Sequence, residues 1–352
     1  MRRVGVLTGG GDAPGLNAVI RALVKRLQAE KIEVIGFRNG YKGLVQGEFQ
    51  VLHGQAISGI LPRGGTILGT SNRDNPFNFH GEDRFEDCVR HAEALGLECI
   101  VVIGGEGSLA VASMCGDRGL PMIGVPKTID NDLHATDQTF GYDTAVSIAT
   151  EALDRLHTTA ESHHRVMVLE VMGRYAGWIA VASGLAGGAD AILIPEIPFT
   201  LEAVAAKVNQ RREAGKPFSI IVVAEGARTP EGELVVKQTV EGSHDPKRLG
   251  GIGQYVAGRL EAMTGLESRV TVLGHLQRGG SPTAFDRILA SRYGVAAAEL
   301  AIDKVYGQVV VLQNGIITHV PIEEVGGKVR PVPVDHPMIQ AARALGISFG
   351  DR

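Results

Sequence analysis

Residues 124–134 read GVPKTIDNDLH, placing Lys127, Thr128, Asp130 and Asp132 at the end of an apolar run. A carboxylate of ordinary pKa, about 3.9, is a weak base towards an alcohol. It suffices when the proton leaves late, as in the loose transition state of phosphoryl transfer, where catalysis is positioning plus charge neutralisation. Asp130 is thus the candidate general base, Asp132 orients the loop or helps to hold Mg²⁺, and Thr128 donates to the acceptor. The plainer reading of the same residues is an Asx-type polar turn.

Two glycine loops, VLTGGGDAPGLN and VVIGGEGSLA, each follow a strand-like run and open a helix-like one. Glycines there let backbone N–H groups approach an oxyanion, and the helix N-terminus adds partial positive charge. Gly11 in the first loop and Gly105, Gly107 and Ser108 in the second are candidate phosphate contacts. Glu106 suits Mg²⁺, which binds through one or two acids plus phosphate oxygens and water; a helix-start acid favoured by the macrodipole is the bland alternative. Neither loop is a Walker A motif. An NAD-dependent oxidoreductase is disfavoured, because EVIGF runs into Arg38 and Asn39 where a ribose-binding acid is expected.

HHRVMVLEVMGRYAGW brackets a strand with Arg165 and Arg174, and SRVTVLGHLQRGGSPTAFDR carries Arg269, His275 and Arg278. Arginine forks hold phosphate bidentately, so the clusters point to a phosphorylated substrate. A strand's length separates Arg165 from Arg174, and an interface between subunits explains how both could serve such sites.

These residues need strand ends to hold them. VGVLTGGG, EVIGF, CIVVIGGEG, MIGVPKT, VMVLEVMG, AILIPE, SIIVVAEG and VTVLGH read as buried parallel strands, most of them separated by helical spacing. That is a doubly wound α/β fold, in which ligands sit at strand carboxyl ends. A junction between two α/β halves is expected near DQTFGYDTA. Residues 226–268, polar and turn-rich before a short helical segment, read as an elaborated surface loop, and VGGKVRPVPVDHPM as irregular. The net charge of −4 implies no general polyanion surface, and 5% aromatic content no stacking platform for nucleic acid. Cys88, Cys99 and Cys115 read as reduced. With no room for a signal peptide before the first strand and no apolar run of about 18–20 residues, a cytoplasmic protein is expected.

With GGGDAPGLN, GGEGS, PKTIDND, EVMGRYAGW, AEG and LGHLQRGGSPTAFDRILA in order, the sequence resembles the bacterial 6-phosphofructokinase family from residue 1 to about residue 300. The resemblance implies two doubly wound, mostly parallel-sheet domains with the active site in the cleft between them. We divide them as 1–141 plus 277–327 for nucleotide and Mg²⁺, and 142–276 plus 328–352 for sugar phosphate. It implies ATP and fructose 6-phosphate as substrates, and a homotetramer more than a dimer. Carried over by motif, Asp130 is the base and Arg174 a transition-state arginine; Gly11 and Glu106 serve the nucleotide phosphates and Mg²⁺. Met172, Gly173, Glu225, His275 and Arg278 hold the sugar phosphate, and Arg165 and Arg269 reach it from a neighbouring subunit.

Some positions depart from the family pattern. Glu106 stands where many members have Asp, and Arg73 in GTSNRDNPF is the best match to an arginine near the phosphates. The 226–268 segment resembles the branch where ATP-using and pyrophosphate-using members mix. Pyrophosphate enzymes tend to carry Asp at the position of Gly107 and Lys at that of Lys127. An Asp side chain would crowd the α-phosphate of ATP, and Gly107 leaves that space open, so ATP is favoured and pyrophosphate is the alternative. Tyr41 is a candidate to stack on adenine, with a packed loop aromatic as the alternative. Arg21, Lys25, Glu196 and Lys216 partly fit an effector site. A non-catalytic sugar-phosphate-binding subunit is the remaining class, against which the Asp130 carboxylate speaks.

Overall fold

The computed structural model describes residues 1–230, 236–239, 247–249 and 251–352. The first half runs β1 (Arg3–Thr8), α1 (Leu16–Ala29), β2 (Glu33–Phe37), α2 (Tyr41–Gln46), β3 (Phe49–Leu52), α3 (Phe85–Leu95), β4 (Leu97–Gly104), α4 (Glu106–Asp117) and β5 (Met122–Pro126). After a long loop come α5 (Tyr142–His163), β6 (Val166–Val171), α6 (Trp178–Ala186), β7 (Ala191–Leu193), α7 (Leu201–Glu213) and β8 (Ser219–Ala224). Then follow β9 (Val236–Thr239), β10 (Lys247–Leu249), α8 (Ile252–Thr264), β11 (Ser268–Val272) and a 3₁₀ turn (Gly274–Arg278). The chain closes with α9 (Ala284–Ile302), β12 (Gln308–Gln313), β13 (Ile316–Pro321), a short 3₁₀ turn and α10 (Pro337–Ala344). Among the described residues no helix is long and apolar enough to cross a membrane.

Two sheets organise these elements. The first has the order β13-β12-β5-β4-β1-β2-β3, parallel from β12 to β2 with an antiparallel strand at each edge. The second, β11-β6-β8-β7, is wholly parallel. Side chains alternate across a strand, so apolar residues at every position mean both faces are covered. Val4, Val6, Val101 and Ile103 face one core with Leu23 of α1 and Tyr293 of α9. Leu7, Ile100 and Val102 face the other with Cys88 of α3 and Leu109 of α4. The second sheet repeats this, with Leu169 and Val222 on one face and Val168 and Val223 on the other. Each such side chain contributes about 1.5–3 kcal/mol by leaving water.

All eight strand-like runs form strands. Reading 226–268 as a surface loop is corrected in part. Backbone pairing of β9 with β10 lies within it, and α8 buries Val256 and Leu260 in the core of the second sheet. The rest of its polar stretch, 231–235, 240–246 and 250, lies outside the described residues. Sequence reading also missed β3, β12 and β13. β3 and β13 are antiparallel edges with exposed positions, so they lack the continuous apolar run of a buried strand.

Candidate active site

The first sheet reverses its strand order between β1 and β4, and the crevice beyond the carboxyl ends at such a point is where ligands bind. Both glycine loops lie there. Gly9 N donates to Ile103 O at 2.9 Å and Gly10 N to Ser71 O at 3.0 Å. Gly10 is in the left-handed region, at φ 79°. A side chain at Gly9 would come within 2.6 Å of Ser108 Oγ, so the two loops interlock through Ser108. Gly105 caps α4, and Glu106, Gly107 and Ser108 form its first turn. Arg73 is exposed two residues past Ser71, which bridges to Gly9. The stacking expectation for Tyr41 is corrected: the residue is 4% exposed, leaving no ring face open to adenine, and its hydroxyl donates to Ser108 O at 2.8 Å.

β5 delivers the acidic loop beside them. Lys127 N donates to Gly104 O at 2.9 Å, and its buried Nζ to Gly11 O at 2.5 Å. Burial, reinforced by the Arg278 charge, brings Lys127 down to about 7. Asp130 N donates to Thr128 Oγ1 at 3.1 Å, Thr139 N to Asn131 Oδ1 at 3.0 Å, and Asn131 takes φ 53°. This is a polar turn, yet a turn leaves one atom unexplained. Asp130 Oδ1 is buried without a hydrogen-bond partner, at a cost of about 1–3 kcal/mol. Burial holds the Asp130 carboxyl above the usual carboxylate range, against the pull of Arg278 and Lys127. Asp132 is pushed up to about 7 by burial and by Asp130, with a smaller push from Glu106. Buried acids shifted in this way, at the carboxyl end of a strand, mark a candidate functional site.

The second sheet contributes the ends of β6, β8 and β11. Met172 and Gly173 follow β6; Gly173 has φ 134°, and a side chain there would come within 2.8 Å of Ala176 O. Met172 N donates to Gln277 Oε1 at 2.8 Å, which ties the β6 end to the 3₁₀ turn. Arg174 lies with its guanidinium 5.2 Å from the Tyr175 ring centre. Glu225, just past β8, is pushed up to about 7 by burial and then by Asp130 and Glu170. The Asp130 charge is felt at Glu225, which puts the acidic loop on the side of the second sheet's carboxyl ends. His275 is exposed on the 3₁₀ turn. Arg278 crosses to the glycine loop: its Nη1 donates to Asp12 O at 2.9 Å, and a side chain at Gly11 would come within 2.8 Å of that nitrogen.

Arg165 and Arg269 are brought together, but elsewhere. They sit at the amino ends of β6 and β11, the opposite end from Met172. Glu267 accepts from Arg165 Nε at 2.7 Å and Nη2 at 3.1 Å, and also from Arg269 Nη2. Arg21 and Lys25 line a surface cavity with Gln28 and Ser58. Glu196 is not part of it; its carboxylate accepts from Gly177 N at 3.0 Å and Val332 N at 2.7 Å. Sequence reading passed over Asp12, Gln277 and Glu267. The first two lie inside motifs already singled out; Glu267 carries no motif of its own. No group of three or more His, Cys, Asp or Glu suited to a metal occurs among the described residues.

Comparison with known proteins gives a consistent picture. Residues 3–301 match the family described as phosphofructokinase. An ATP-dependent 6-phosphofructokinase 2 of Clostridium perfringens is 50% identical, over 100% of this chain and 99% of that protein. A pyrophosphate–fructose 6-phosphate 1-phosphotransferase of Streptomyces coelicolor is 53% identical, over 94% and 96%. Among solved structures, a phosphofructokinase of Pichia pastoris superposes with TM-score 0.82 at 32% identity, covering 92% of this chain and 35% of that longer one.

Proposed function

The chain belongs to the phosphofructokinase family, and from that premise we propose that it transfers the terminal phosphoryl group of ATP to the 1-hydroxyl of fructose 6-phosphate. The products are fructose 1,6-bisphosphate and ADP, as a step of glycolysis in the cytoplasm. The observation that carries the assignment of roles is the buried, unpartnered Asp130 Oδ1. An acceptor hydroxyl donating to that oxygen satisfies it and is oriented for in-line attack, and Asp130 takes the proton as the new P–O bond forms. Thr128 steadies the loop and the acceptor.

Donor phosphates lie along Gly11, Arg73, Gly105, Glu106, Gly107 and Ser108, with Lys127 beneath them. A phosphate beside Lys127 favours its charged form. Arg174 meets the charge that develops on the transferring group, and Met172, Gly173, Glu225, His275 and Arg278 hold the sugar phosphate. The acids fit Mg²⁺: Asp132 feels the charges of Asp130 and Glu106, and Mg²⁺ needs only one or two carboxylates beside phosphate oxygens and water. Glu106 and Asp132 would hold the ion, which supplies charge shielding to the polyphosphate. We assign residues 1–141 plus 277–327 to the nucleotide side and 142–276 plus 328–352 to the sugar side. The chain works as a homo-oligomer, a tetramer rather than a dimer, in which Arg165 and Arg269 serve a neighbour's site.

The open Gly107 favours ATP. Pyrophosphate is the second reading, favoured by Lys127 and by the Streptomyces relative. Parallel assays of fructose 1,6-bisphosphate formation with ATP and with pyrophosphate decide between them. Faster turnover with ATP is expected, and turnover with pyrophosphate alone would overturn the donor assignment.

A further inference from the structure

The irregular segment after β13 carries an arginine that no motif singled out. Arg330 Nη2 donates to two carbonyls of the acidic loop, Asn131 O at 2.9 Å and Asp137 O at 3.0 Å. Its backbone N donates to a third, Asp132 O at 2.6 Å, and Val329 pairs with Leu133 in an antiparallel bridge. These carbonyls belong to irregular backbone, with left-handed Asn131 and Ala135, that no helix or sheet ladder satisfies. On its other side the guanidinium lies 4.5 Å from the centre of the Trp178 ring, whose Nε1 donates to Arg330 O at 3.0 Å. Trp178 opens α6, four residues after Arg174. Two residues on, Val332 N donates to Glu196, which also accepts from Gly177 N.

We infer that Arg330 is a positioning residue that holds the Asp130 loop at a set distance from the Arg174 loop. One guanidinium nitrogen, Nη2, reaches both carbonyls while the planar face of the group lies over the indole. Burial lowers the Arg330 pKa against the opposing pull of Asp137, and a guanidinium keeps its charge in proteins. Its Nε is buried and unpartnered. The inference rests on the phosphoryl-transfer reading and uses Asp130 as base in only one arm of its test.

That test compares Arg330→Met with the native enzyme in its oligomeric form. Losing two charge-assisted bonds to the loop is expected to lower kcat about 10- to 100-fold. KM for both substrates should stay within about threefold, because among the described residues Arg330 itself bonds only to the Asp130 loop and to Trp178. Trp178 is the chain's only tryptophan, so its emission reads the contact directly and is expected to change. Arg330→Lys should recover part of kcat. In an Asp130→Ser background, Arg330→Met should cost less than about twofold, since a mispositioned base that is absent costs nothing. A folded Arg330→Met enzyme with kcat within twofold of native would overturn the inference, as would an equal proportional loss in both backgrounds. Near-normal turnover of Asp130→Ser alone would refute the base assignment, while the kcat of Arg330→Met still decides the positioning role. Should Arg330→Met fail to fold, Arg330→Lys and Trp178→Phe carry the comparison, each with a smaller expected loss.

Discussion

Around Gly9–Gly11 and Gly105–Ser108 several positioning contacts are made by backbone, Gly9 on Ile103, Gly10 on Ser71 and Lys127 on Gly104, beside the buried Lys127 and Tyr41 side chains. At the ends of the second sheet the groups are long side chains with looser anchors. His275 faces solvent, Arg278 leans across to Asp12, and Arg165 and Arg269 end on Glu267 at an edge strand. Backbone amides and glycines lose little freedom when a phosphate arrives, so a donor site can be preformed. Arginines lose side-chain entropy on ordering and are held only when a partner or ligand completes them. Under the proposed assignment, the donor side would be held by backbone before its ligand arrives and the acceptor side ordered more by its ligand.

The largest effect should come from the residue between the two sides. Asp130→Ser is expected to lower kcat by about 10²–10⁴-fold with fructose 6-phosphate still bound. A rise in KM at normal kcat would instead make Asp130 part of the acceptor side alone. Next is Arg165→Gln, which on the proposed sharing of sites removes a charged phosphate donor, an interaction worth about 1.5–3 kcal/mol. The KM for fructose 6-phosphate should rise about 10- to 100-fold while the KM for ATP stays level; an unchanged sugar KM would sever Arg165 from the acceptor side.

Gly107→Asp probes the cradle. ATP turnover should fall roughly tenfold more than pyrophosphate turnover, a difference of about 1.4 kcal/mol, and equal losses would remove the steric argument for the donor. The smallest effect is on stability. Burial raises the Asp132 carboxyl to about 7, so the folded protein resists its ionisation more than the unfolded chain does. The resulting cost is absent below the ordinary carboxylate pKa, grows as pH rises towards 7, and is full above it. Asp132→Asn should therefore stabilise the fold by about 1–3 kcal/mol at pH 8, and the gain should shrink as pH falls through 7 towards 4. Thermal unfolding at pH 8 and pH 5 checks this, and an equal gain at both would contradict it.

The strands that place the site were legible because buried parallel strands are continuous apolar runs closed by Gly, Pro or a charge, as in CIVVIGGEG and MIGVPKT. The candidate residues were legible because they cluster at those ends. β3 and β13 were not, since an edge strand with one wet side shares its pattern with loops. Arg330 was not, because nothing within ten residues of it hints at a partner 199 positions away.

Local sequence determined which residue types stand where each strand stops: glycines after β1 and β4, acids after β5, arginines around β6 and β11. That follows from short-range sterics and hydrophobic periodicity, which act over a few residues. Only the tertiary structure decided that Tyr41 turns inward onto Ser108, that Glu267 joins Arg165 to Arg269, and that Arg330 ties the acidic loop to Trp178. Those contacts depend on which elements pack side by side, a property of the whole folded chain that no local spacing encodes.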